Sequence, residues 1–480
     1  MTFATTTELM PQQVQAAAKL LPSRVGALFM EMGTGKSLAL IRLAELRQAK
    51  WDRFFWLCPV SLKETVVGQL LEHTTLTAVD IEVWGAKVST DRLPTNKRIH
   101  VIGIESMSSS DRVYLAYRAM VTDRSFVAVD ESGYIKGHRS SRTKRITEAS
   151  EHCRYRAVLT GTPFTQGAVD LFAQMRFLSP KILGYRSFHT FARQHLVFDE
   201  REGRDGVRRP TNRIVRTHAV DLLAAKIAPY TYQVRKDECL TLPDKLHETL
   251  WCSMSPAQRR LYERVKDRIL CEMDYDDWSP IKIFHLFTAL QTVLCGWYSD
   301  AEQGLAEVEH NRLDTLMAAV QGIPSTEHVI VWAKYRRAVE QISGALAEEY
   351  GADQVHQFYG DQAEAERNQS LAAWRESGRF LVATQSAGSH GLTLNEAAYV
   401  VFYADGFKFS ERLQAEDRNH RIGQARRPVY ITIRCVESID VRIADAIRRK
   451  GSALSAFMAD VDEVRAQGLK QRALDMVRAL

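Results

Sequence analysis

Short apolar runs alternate with longer amphipathic stretches in both halves of this sequence, and no other feature restricts the possible folds as much. Nine runs have the length of a β-strand, and they lie at residues 27–30, 54–58, 101–104, 126–129, 157–160, 329–332, 380–384, 399–403 and 429–433. Strands that alternate with helices are typical of a parallel sheet with helices on both faces. The sequence therefore predicts an α/β protein that contains two parallel sheets in tandem.

Two stretches of the chain lack regular strand alternation and look mostly helical. One of them contains Ser255-Pro256, which places a capping serine before a proline at the first helical position. At 480 residues the chain is long enough for two lobes that each bury a core. The predicted organisation is a first lobe at residues 1–240 with a helical insertion at about 165–235, a second lobe at residues 241–455 with a helical protrusion at about 253–320, and C-terminal helices at 456–480.

Composition is that of a soluble globular protein, because 45% of the residues are hydrophobic and 25% are charged. The chain has no apolar run of the roughly 18 residues that a membrane span requires, and its N-terminus lacks the pattern of a secretory signal. Its seven cysteines are dispersed without a C-x-x-C pair, which is typical of reduced thiols rather than of a zinc site or a disulfide framework. We therefore expect a protein of the cytoplasm, either of a bacterium or, for a viral source, of the host. We also expect a monomer.

A loop with the sequence EMGTGKS follows the first predicted strand and precedes a helical run. Gly33 and Gly35, on either side of Thr34, would let backbone N–H groups approach phosphate oxygens. Lys36 would reach the β- and γ-phosphates of a nucleotide, and the hydroxyl of Ser37 would bind Mg²⁺. A chance G-x-G-K in a turn is the other interpretation, but the flanking strand and helix favour a phosphate loop.

The apolar run at residues 126–129 ends in Asp130 and Glu131. A carboxylate at the carboxyl end of a buried parallel strand faces the crevice where such sheets bind ligands. Asp130 could hold Mg²⁺ through water, and Glu131 could position or deprotonate an attacking water. An isolated Asp-Glu pair is more often a solvated turn, but together with the Lys36 loop it indicates a site for ATP and Mg²⁺.

A third segment, QAEDRNHRIGQ, carries Gln414, Arg418 and Arg421. Their i, i+4, i+7 spacing predicts that one helix face presents all three. Arginine is always charged and suits phosphate oxygens, and an arginine from a second lobe can stabilise the charge that develops in phosphoryl transfer. A basic solvated helix face is the other interpretation, and the preceding turn at Gly388 and Gly391 favours the phosphate interpretation.

The order of these segments resembles that of the Swi/Snf-type ATPases of helicase superfamily 2, which are translocases of double-stranded DNA. The similar segments span roughly residues 5 to 450, and QAEDRNHRIGQ is the most specific of them. The others are LMPQQ at 9–13, CPVSL at 58–62, DESGYIK at 130–136, LTGTP at 159–163, LPDK at 242–245, QRRLY at 258–262, FYG at 358–360 and the stretch 386–394. The resemblance implies two RecA-like lobes with helical protrusions, ATP and Mg²⁺ as cofactors, and double-stranded DNA as a sequence-independent partner.

The resemblance also implies roles for individual residues. The catalytic set is Lys36, Asp130, Glu131, Arg418 and Arg421, with Ser37 and Asp130 at the metal. The nucleotide-binding set is Gln13, at the adenine-reading position, with Gly33, Thr34, Gly35, Lys36, Ser37, Gly391 and Gln414. The DNA-binding set is Pro59, Ser61, Thr160, Gly161, Thr384 and Ser386, of which Thr160 and Gly161 belong to the motif that couples the nucleotide site to DNA.

The sequence departs from the family pattern at three places, and at one of them Thr34 replaces the usual Leu without consequence. Gly133 stands where these ATPases usually have a histidine that helps to relay between the ATP site and lobe closure, so the change bears on coupling rather than on nucleotide binding. FKFS at residues 407–410 replaces the usual Trp-Asn-Pro, which we interpret as a local packing change. The chain is little more than these motifs, so we expect a compact motor without chromatin-reading domains.

The segment REGRDGVRRPTNRIVR at residues 201–216 is basic and contains Asp-Gly and Arg-Pro turn signals. It could form a hairpin that touches or parts DNA through Arg208 and Arg209, and a solvated surface loop is an equally good interpretation. The formal net charge of +6 agrees with a polyanionic partner.

Together with the resemblance, the motifs predict ATP hydrolysis coupled to movement on duplex DNA. Two alternatives stay open. One is a helicase that separates strands or remodels and anneals forks, which an unwinding assay distinguishes. The other is a DNA-binding module whose ATPase has decayed, which a phosphate-release assay distinguishes.

Overall fold

The structure, a computed structural model, describes residues 2–161, 168–202, 208–272, 279–300, 304–388, 392–449, 451–453, 456 and 460. The chain divides into two compact units, Met1–Thr241 and Leu242–Leu480. Each unit is built around its own parallel sheet. Within the described ranges, no helix combines the length and the apolar character that crossing a bilayer requires.

The first unit contains a seven-stranded sheet in which every neighbouring pair is parallel. The strands of the first unit are β1 (Val25–Met30), β2 (Arg53–Cys58), β3 (Ile81–Val83), β4 (Ile99–Gly103), β5 (Ser125–Val129), β6 (Tyr155–Leu159), the hairpin strands β7 (Leu196–Glu202) and β8 (Arg208–Thr217), and β9 (Thr231–Val234). The order across the sheet is β3-β4-β2-β5-β6-β1-β9. The three strands β5, β6 and β1, which lead into the Asp130–Glu131 pair, the LTGTP motif and the Lys36 loop, are therefore adjacent.

Helices of the first unit cover the sheet and form its connections. They are α1 (Pro11–Leu20), α2 (Lys36–Leu46), α3 (Lys63–His73), α4 (Ser106–Ser109), α5 (Asp111–Met120), α6 (Ser141–Ala149), α7 (Ala168–Leu178), α8 (Pro180–Leu183), α9 (Phe188–His195), α10 (Val220–Ile227) and α11 (Lys236–Cys239). Successive residues of β2 belong to two different apolar cores: Phe54 and Trp56 to one, Phe55 and Leu57 to the other. The central strands are thus buried on both faces, which explains their continuous apolar sequences.

The region between β6 and β9 contains a β-hairpin as well as helices, so the prediction of a mostly helical insertion at about 165–235 is incomplete. The hairpin strands pair antiparallel, with Arg201 opposite Arg209 and Glu202 opposite Arg208. Of the two interpretations of residues 201–216, the backbone thus agrees with the hairpin. Hydrophobic periodicity does not reveal these strands because most of their residues are polar or charged. The strand β9 returns to the main sheet, where it pairs with β1.

The second unit contains a six-stranded sheet, again parallel throughout. The strands of the second unit are β10 (Leu246–Cys252), the hairpin strands β11 (Trp297–Asp300) and β12 (Gly304–Glu307), β13 (Val329–Ala333), β14 (Val355–Phe358), β15 (Phe380–Thr384), β16 (Tyr399–Phe402) and β17 (Val429–Cys435). The order across the sheet is β10-β17-β16-β13-β15-β14. As in the first unit, the faces of the sheet belong to different cores, since Val331 packs in one and Ile330 and Trp332 in the other.

The helices of the second unit connect its strands, and three of them lie in the range predicted as a protrusion. They are α12 (Pro256–Glu272), α13 (Pro280–Leu294), α14 (Asn311–Gln321), α15 (Arg336–Tyr350), α16 (Glu364–Glu376), α17 (Gln385–Gly388), α18 (Phe409–Glu416) and α19 (Ile439–Arg448). The protrusion predicted at about 253–320 contains three of these helices and also the small hairpin β11–β12, which the sequence pattern does not predict. The helices predicted at 456–480 lie outside the described residues, apart from positions 456 and 460.

The prediction of an α/β protein with two parallel sheets in tandem is confirmed. All nine predicted strands are present, with ends within two residues of the predicted ones. The four sheet strands that the sequence pattern does not predict are β3, β9, β10 and β14, and they are the edge strands of the two sheets. Edge strands are short or partly exposed and do not need a continuous apolar sequence, so they resemble loops in the sequence.

Candidate functional site

The phosphate loop connects the end of β1 to the start of α2 and depends on two glycines. Gly33 has a φ of 81° and Gly35 a φ of 89°, a left-handed conformation that favours glycine. Thr34 between them is fully buried, and its hydroxyl donates a hydrogen bond of 2.7 Å to the carbonyl oxygen of Glu31. Lys36 and Ser37 are the first residues of α2, where backbone N–H groups without helical partners can receive an anion.

Two buried glutamines of α1 support this loop. Gln12 Nε2 donates a hydrogen bond of 3.3 Å to the carbonyl oxygen of Thr34. Gln13 Oε1 accepts one of 2.8 Å from the backbone N–H of Met10. A Cβ atom at Gly35 would lie 2.0 Å from Gln13 Nε2, so only glycine fits there. The structure therefore places the predicted adenine-reading residue directly beside the phosphate loop, and Gln12 joins the site although the sequence pattern does not single it out.

Asp130 lies at the carboxyl end of β5 with its carboxylate almost completely buried. Its Oδ1 accepts a hydrogen bond of 2.9 Å from the backbone N–H of Glu131, and its Oδ2 lies 3.4 Å from Trp56 Nε1. Burial and the negative charge of Glu131 raise the pKa of Asp130 to about 6, and the nearby positive charge of Lys36 opposes that rise. The Lys36 ammonium and the Asp130 carboxylate therefore belong to one electrostatic site.

These residues fit a nucleotide with its magnesium ion. Mg²⁺ prefers oxygen ligands and is usually held by one or two protein groups together with phosphate oxygens. A carboxylate as buried as Asp130 is stabilised in its charged form by a bound cation, which offsets the cost of its burial. Ser37 offers a hydroxyl at the start of α2.

Glu131 has an unusual backbone conformation. With φ 47° and ψ 59° it lies in the left-handed region, which costs a non-glycine residue on the order of 1–3 kcal/mol. A short 3₁₀ turn, Ser132–Ile135, follows at once. Ser132 anchors this turn through a hydrogen bond of 2.7 Å to the buried Gln174 of α7. A strained backbone of this kind persists only where the surrounding structure holds it in place. The backbone conformation in turn sets the direction in which the Glu131 side chain leaves the end of β5.

Gly133, which replaces the usual histidine, has open space around it. A Cβ atom at this position would meet no heavy atom within 4 Å, and its φ lies outside the range that favours glycine. Packing around the backbone therefore does not require glycine at this position.

Thr160 and Gly161, at the end of β6, lie against the phosphate loop. The backbone N–H of Thr160 donates a hydrogen bond of 3.2 Å to the carbonyl oxygen of Leu28 in β1. A Cβ atom at Gly161 would lie 3.1 Å from the backbone nitrogen of Met32 and 3.5 Å from Lys36 Nζ. The start of the LTGTP motif thus lies beside Lys36 and the phosphate loop, while its last two residues lie outside the described part of the chain.

In the second unit, the prediction that Gln414, Arg418 and Arg421 share one helix face is wrong. The helix α18 ends at Glu416, so only Gln414 lies on it. The two arginines lie in the turns that follow, and each places a guanidinium nitrogen 3.4 Å from the carbonyl oxygen of Leu392. Burial lowers the pKa of Arg421, and the charge of Asp417 partly opposes this. The structure therefore brings the two arginines together, but through a turn rather than a helix; we call residues 416–424 the arginine turn.

Buried side-chain hydrogen bonds explain why the helix ends early. Asn419 is fully buried; its Nδ2 donates to the carbonyl oxygen of Ala397, and its Oδ1 accepts a bond of 2.8 Å from the Tyr430 hydroxyl. Gln424 Nε2 donates to the same Ala397 carbonyl at 3.0 Å. These contacts fasten the arginine turn to the sheet and compete with continued helical hydrogen bonding.

The remaining predicted residues lie at strand ends or outside the described parts of the structure. Pro59 is buried and Ser61 is exposed just after β2, and in the second unit Thr384 is buried at the end of β15 while Ser386 is exposed in α17. Gly391 lies outside the described residues. For Arg208 and Arg209 the structure describes only their backbone positions in β8. Their assignment to DNA binding stays a prediction.

The fold and the strand-end site place the chain in the class of two-lobed α/β proteins with a candidate nucleotide site. Its sequence matches the SNF2-related domain over residues 13–295 and the helicase conserved C-terminal domain over residues 311–423. The first match covers more than half of the 480 residues. The chain belongs to the SNF2-related family.

The chain is also similar to three proteins of known name. An uncharacterised ATP-dependent helicase of Mycoplasma pneumoniae is 24% identical over 339 residues, which are 70% of this chain and 31% of that protein. A Caenorhabditis elegans homologue of SWI/SNF-related matrix-associated actin-dependent regulator of chromatin subfamily A-like protein 1 is 25% identical over 405 residues, covering 82% of this chain and 54% of that protein. The solved SWI2/SNF2 ATPase core of Sulfolobus solfataricus in complex with dsDNA is 17% identical, with 99% of this chain and 97% of that chain covered and a TM-score of 0.42. This chain spans from about a third to about half of the length of the two curated relatives.

Proposed function

We propose that this protein hydrolyses ATP and uses the energy to translocate on double-stranded DNA. One observation carries the proposal: Lys36 at the start of α2 and the neighbouring Glu131 both act electrostatically on Asp130, which lies at the carboxyl end of β5 in the same sheet. Family membership supports the same activity, since the curated relative from Mycoplasma pneumoniae is named an ATP-dependent helicase.

The residues of the first unit have different roles in the proposed reaction. Lys36 and the N–H groups at the start of α2 bind the phosphates, and Ser37 and Asp130 hold the magnesium ion, which supplies charge neutralisation at the phosphates. Glu131 orients the attacking water and accepts its proton. Gln13 binds the adenine ring beside Gly35.

Arg418 and Arg421 of the second unit add positive charge to the phosphates when ATP is hydrolysed. Their shared position at the Leu392 carbonyl supports a joint role, because a pair of guanidinium groups can bind several oxygens of one phosphate. Gln414 and Gly391 contribute to the nucleotide contacts of the same unit.

DNA contacts come from the carboxyl ends of strands in both sheets. Pro59, Ser61, Thr160, Gly161, Thr384 and Ser386 follow or end such strands. Hydroxyl and backbone N–H groups at these places suit phosphate oxygens, which carry no sequence information. We therefore propose sequence-independent binding by a monomer, with an affinity that falls as the salt concentration rises.

Duplex DNA should stimulate ATP hydrolysis more than single-stranded DNA does. The test is the rate of phosphate release with single-stranded DNA, blunt duplex, forked duplex and RNA in parallel. A Lys36→Ala variant serves as the control for contaminating ATPases, because it lacks the cation that reaches the phosphates. Equal rates of phosphate release with and without every nucleic acid would contradict the proposal. Stronger stimulation by RNA or by single-stranded DNA would contradict duplex DNA as the partner.

Strand separation is a second candidate function, and the hairpin β7–β8 is the observation that favours it. Changing Arg208, Arg209 and Arg213 together to Ala should weaken duplex binding and reduce the slope of log affinity against log salt by up to about 3, because each phosphate contact contributes about 0.9. ATP hydrolysis without DNA should not change.

A matched control removes three exposed positive charges that precede the amino ends of β1 and β2, with Lys19, Arg24 and Lys50 changed to Ala. This variant should keep the salt dependence of the wild type. An unwinding assay on forked DNA, done with both variants, distinguishes a wedge from a simple contact. If the hairpin variant and the wild type had identical DNA-binding curves, residues 201–216 would be a solvated surface segment that does not contact DNA.

A further inference from the structure

The first residues of the second unit are fastened to the arginine turn. This entry segment, residues 242–245 with the sequence LPDK, makes two contacts. Lys245 Nζ lies 2.8 Å from Glu416 Oε2, and His420 Nε2 lies 3.0 Å from the carbonyl oxygen of Pro243. Glu416 and His420 are on either side of Arg418 in the sequence, so both contacts reach the backbone that carries the arginine.

The contact between Lys245 and Glu416 is largely removed from water. The two side chains are 23% and 9% exposed, and the Lys245 ammonium lies 5.5 Å from the centre of the Tyr430 ring. Burial raises the pKa of Glu416, but Arg412 and Lys245 outweigh this effect and hold the pKa below its usual value. A screened ion pair on the surface would matter little, whereas removing Lys245 from this buried pair leaves Arg412 to offset the charge of Glu416.

Glu416 also belongs to a wider buried network. Arg412 of α18 donates 2.8 Å hydrogen bonds to Glu416 and to Asp405, and its guanidinium lies 3.4 Å from the Phe402 ring centre. This network holds the helix to the sheet without help from the entry segment. Lys245 adds a different connection, because it joins Glu416 to a stretch of chain that begins at the boundary between the units.

The arginine turn is thus held from two directions. On one side Arg418 and Arg421 reach the Leu392 carbonyl, and on the other the entry segment holds Glu416 and His420. Lys245 is only four residues beyond Thr241, the last residue of the first unit.

We propose that Lys245 and His420 are positioning residues. Their contacts join the entry segment to the arginine turn and thereby fix the positions of Arg418 and Arg421. The inference rests on the proposed ATP hydrolysis, since it assigns the arginines a role at the phosphates. Neither residue needs to touch ATP. Their effect is to keep the guanidinium groups where they can act in the transition state, and small displacements of such groups reduce rates strongly.

The test compares Lys245→Met, which keeps the aliphatic stem and removes the charge, with Lys245→Arg, which keeps the charge. With saturating duplex DNA, Lys245→Met should lower kcat by about 10- to 100-fold and leave the KM for ATP within about twofold. Lys245→Arg should restore most of the rate. Lys408→Met is the matched control, because Lys408 pairs with Glu411 at 3.7 Å at the other end of α18 and is 62% exposed; it should behave as the wild type.

Two further measurements separate positioning from general destabilisation. Lys245→Met should lower kcat much less in a Glu416→Gln background than in the wild type, because the lysine acts through Glu416. His420→Ala should show the same fall in kcat with an unchanged KM for ATP. This variant tests the other contact of the entry segment and replaces Lys245→Met if that variant folds poorly.

The inference would be overturned if Lys245→Met and His420→Ala kept the wild-type kcat while Arg421→Ala lost it. It would also be overturned by a fall in thermal stability with a raised KM that Lys245→Arg did not correct, since that pattern describes a merely structural contact. A wild-type protein that hydrolyses no ATP with any nucleic acid would instead refute the proposed function itself.

Discussion

A Glu131→Gln variant should bind ATP as the wild type does and hydrolyse it about 10²–10⁴ times more slowly, the contribution expected of a general base. The substitution removes the proton acceptor and keeps the size of the side chain. It also keeps the Cβ atom, so the left-handed backbone at φ 47° is strained to the same degree in both proteins. A loss of rate would therefore come from the chemistry and not from a relaxed turn.

Two measurements are needed for this variant: ATP affinity by equilibrium binding and kcat by phosphate release under saturating ATP and duplex DNA. Glu148→Gln is the control, because Glu148 is an exposed residue of α6, the helix that follows the same motif. If Glu131→Gln hydrolysed ATP at the wild-type rate, Glu131 would not be the base and the water would be activated elsewhere. A combined loss of binding and rate would point to a role in holding the nucleotide.

An Arg421→Ala variant should lose about a thousandfold or more in kcat, the range that arginine fingers contribute, with ATP binding by the first unit largely intact. In the proposed function, the loop and Lys36 bind the phosphates from the first unit, and Asp130 holds the magnesium ion. Arg421 lies nearly four hundred residues farther along the chain, and we expect its charge to matter mainly when negative charge develops in the transition state. DNA translocation should fail with hydrolysis.

The control for Arg421→Ala is Arg427→Ala, which removes an exposed arginine from the chain shortly after the arginine turn. Its kcat and its affinity for ATP should equal those of the wild type. The opposite pattern for Arg421→Ala, weak ATP binding with a nearly normal kcat at saturation, would show that the arginine holds ground-state nucleotide only.

The phosphate loop and the strand-end carboxylates could be predicted because local sequence determines them. The loop EMGTGKS needs its glycines for a left-handed backbone, and Gly33 and Gly35 have it. Asp130 follows an apolar run, and the structure places it at the end of a buried strand next to β6. The parallel arrangement of β5, β6 and β1 then brings separate motifs together at one edge of the sheet, as expected for strands of this type.

The supporting residues of the site could not be predicted from local patterns. Trp56, Gln12 and Gln174 contact the motifs through hydrogen bonds that join distant parts of the chain. Each lies in an apolar strand or on a helix face where a core position is the ordinary interpretation. Only the packing of these elements shows which of their polar atoms point at the site.

The sequence by itself determined the interior strands, their order along the chain and the motifs at their ends, because a strand buried on both faces needs a continuous apolar run and a phosphate loop needs glycine. Only the tertiary structure shows that the edge strands and the hairpin β7–β8 are strands. Their sequences lack a continuous apolar run, so a strand and a loop look alike there. The tertiary structure also decided the end of α18. The spacing of Gln414, Arg418 and Arg421 permits a helix, but the buried side chain of Asn419 bonds to Ala397 and Tyr430 and so ends the helix at Glu416. Contacts that are distant in sequence outweigh helical periodicity there, because a buried amide left without partners would cost more than the helical turn that is lost.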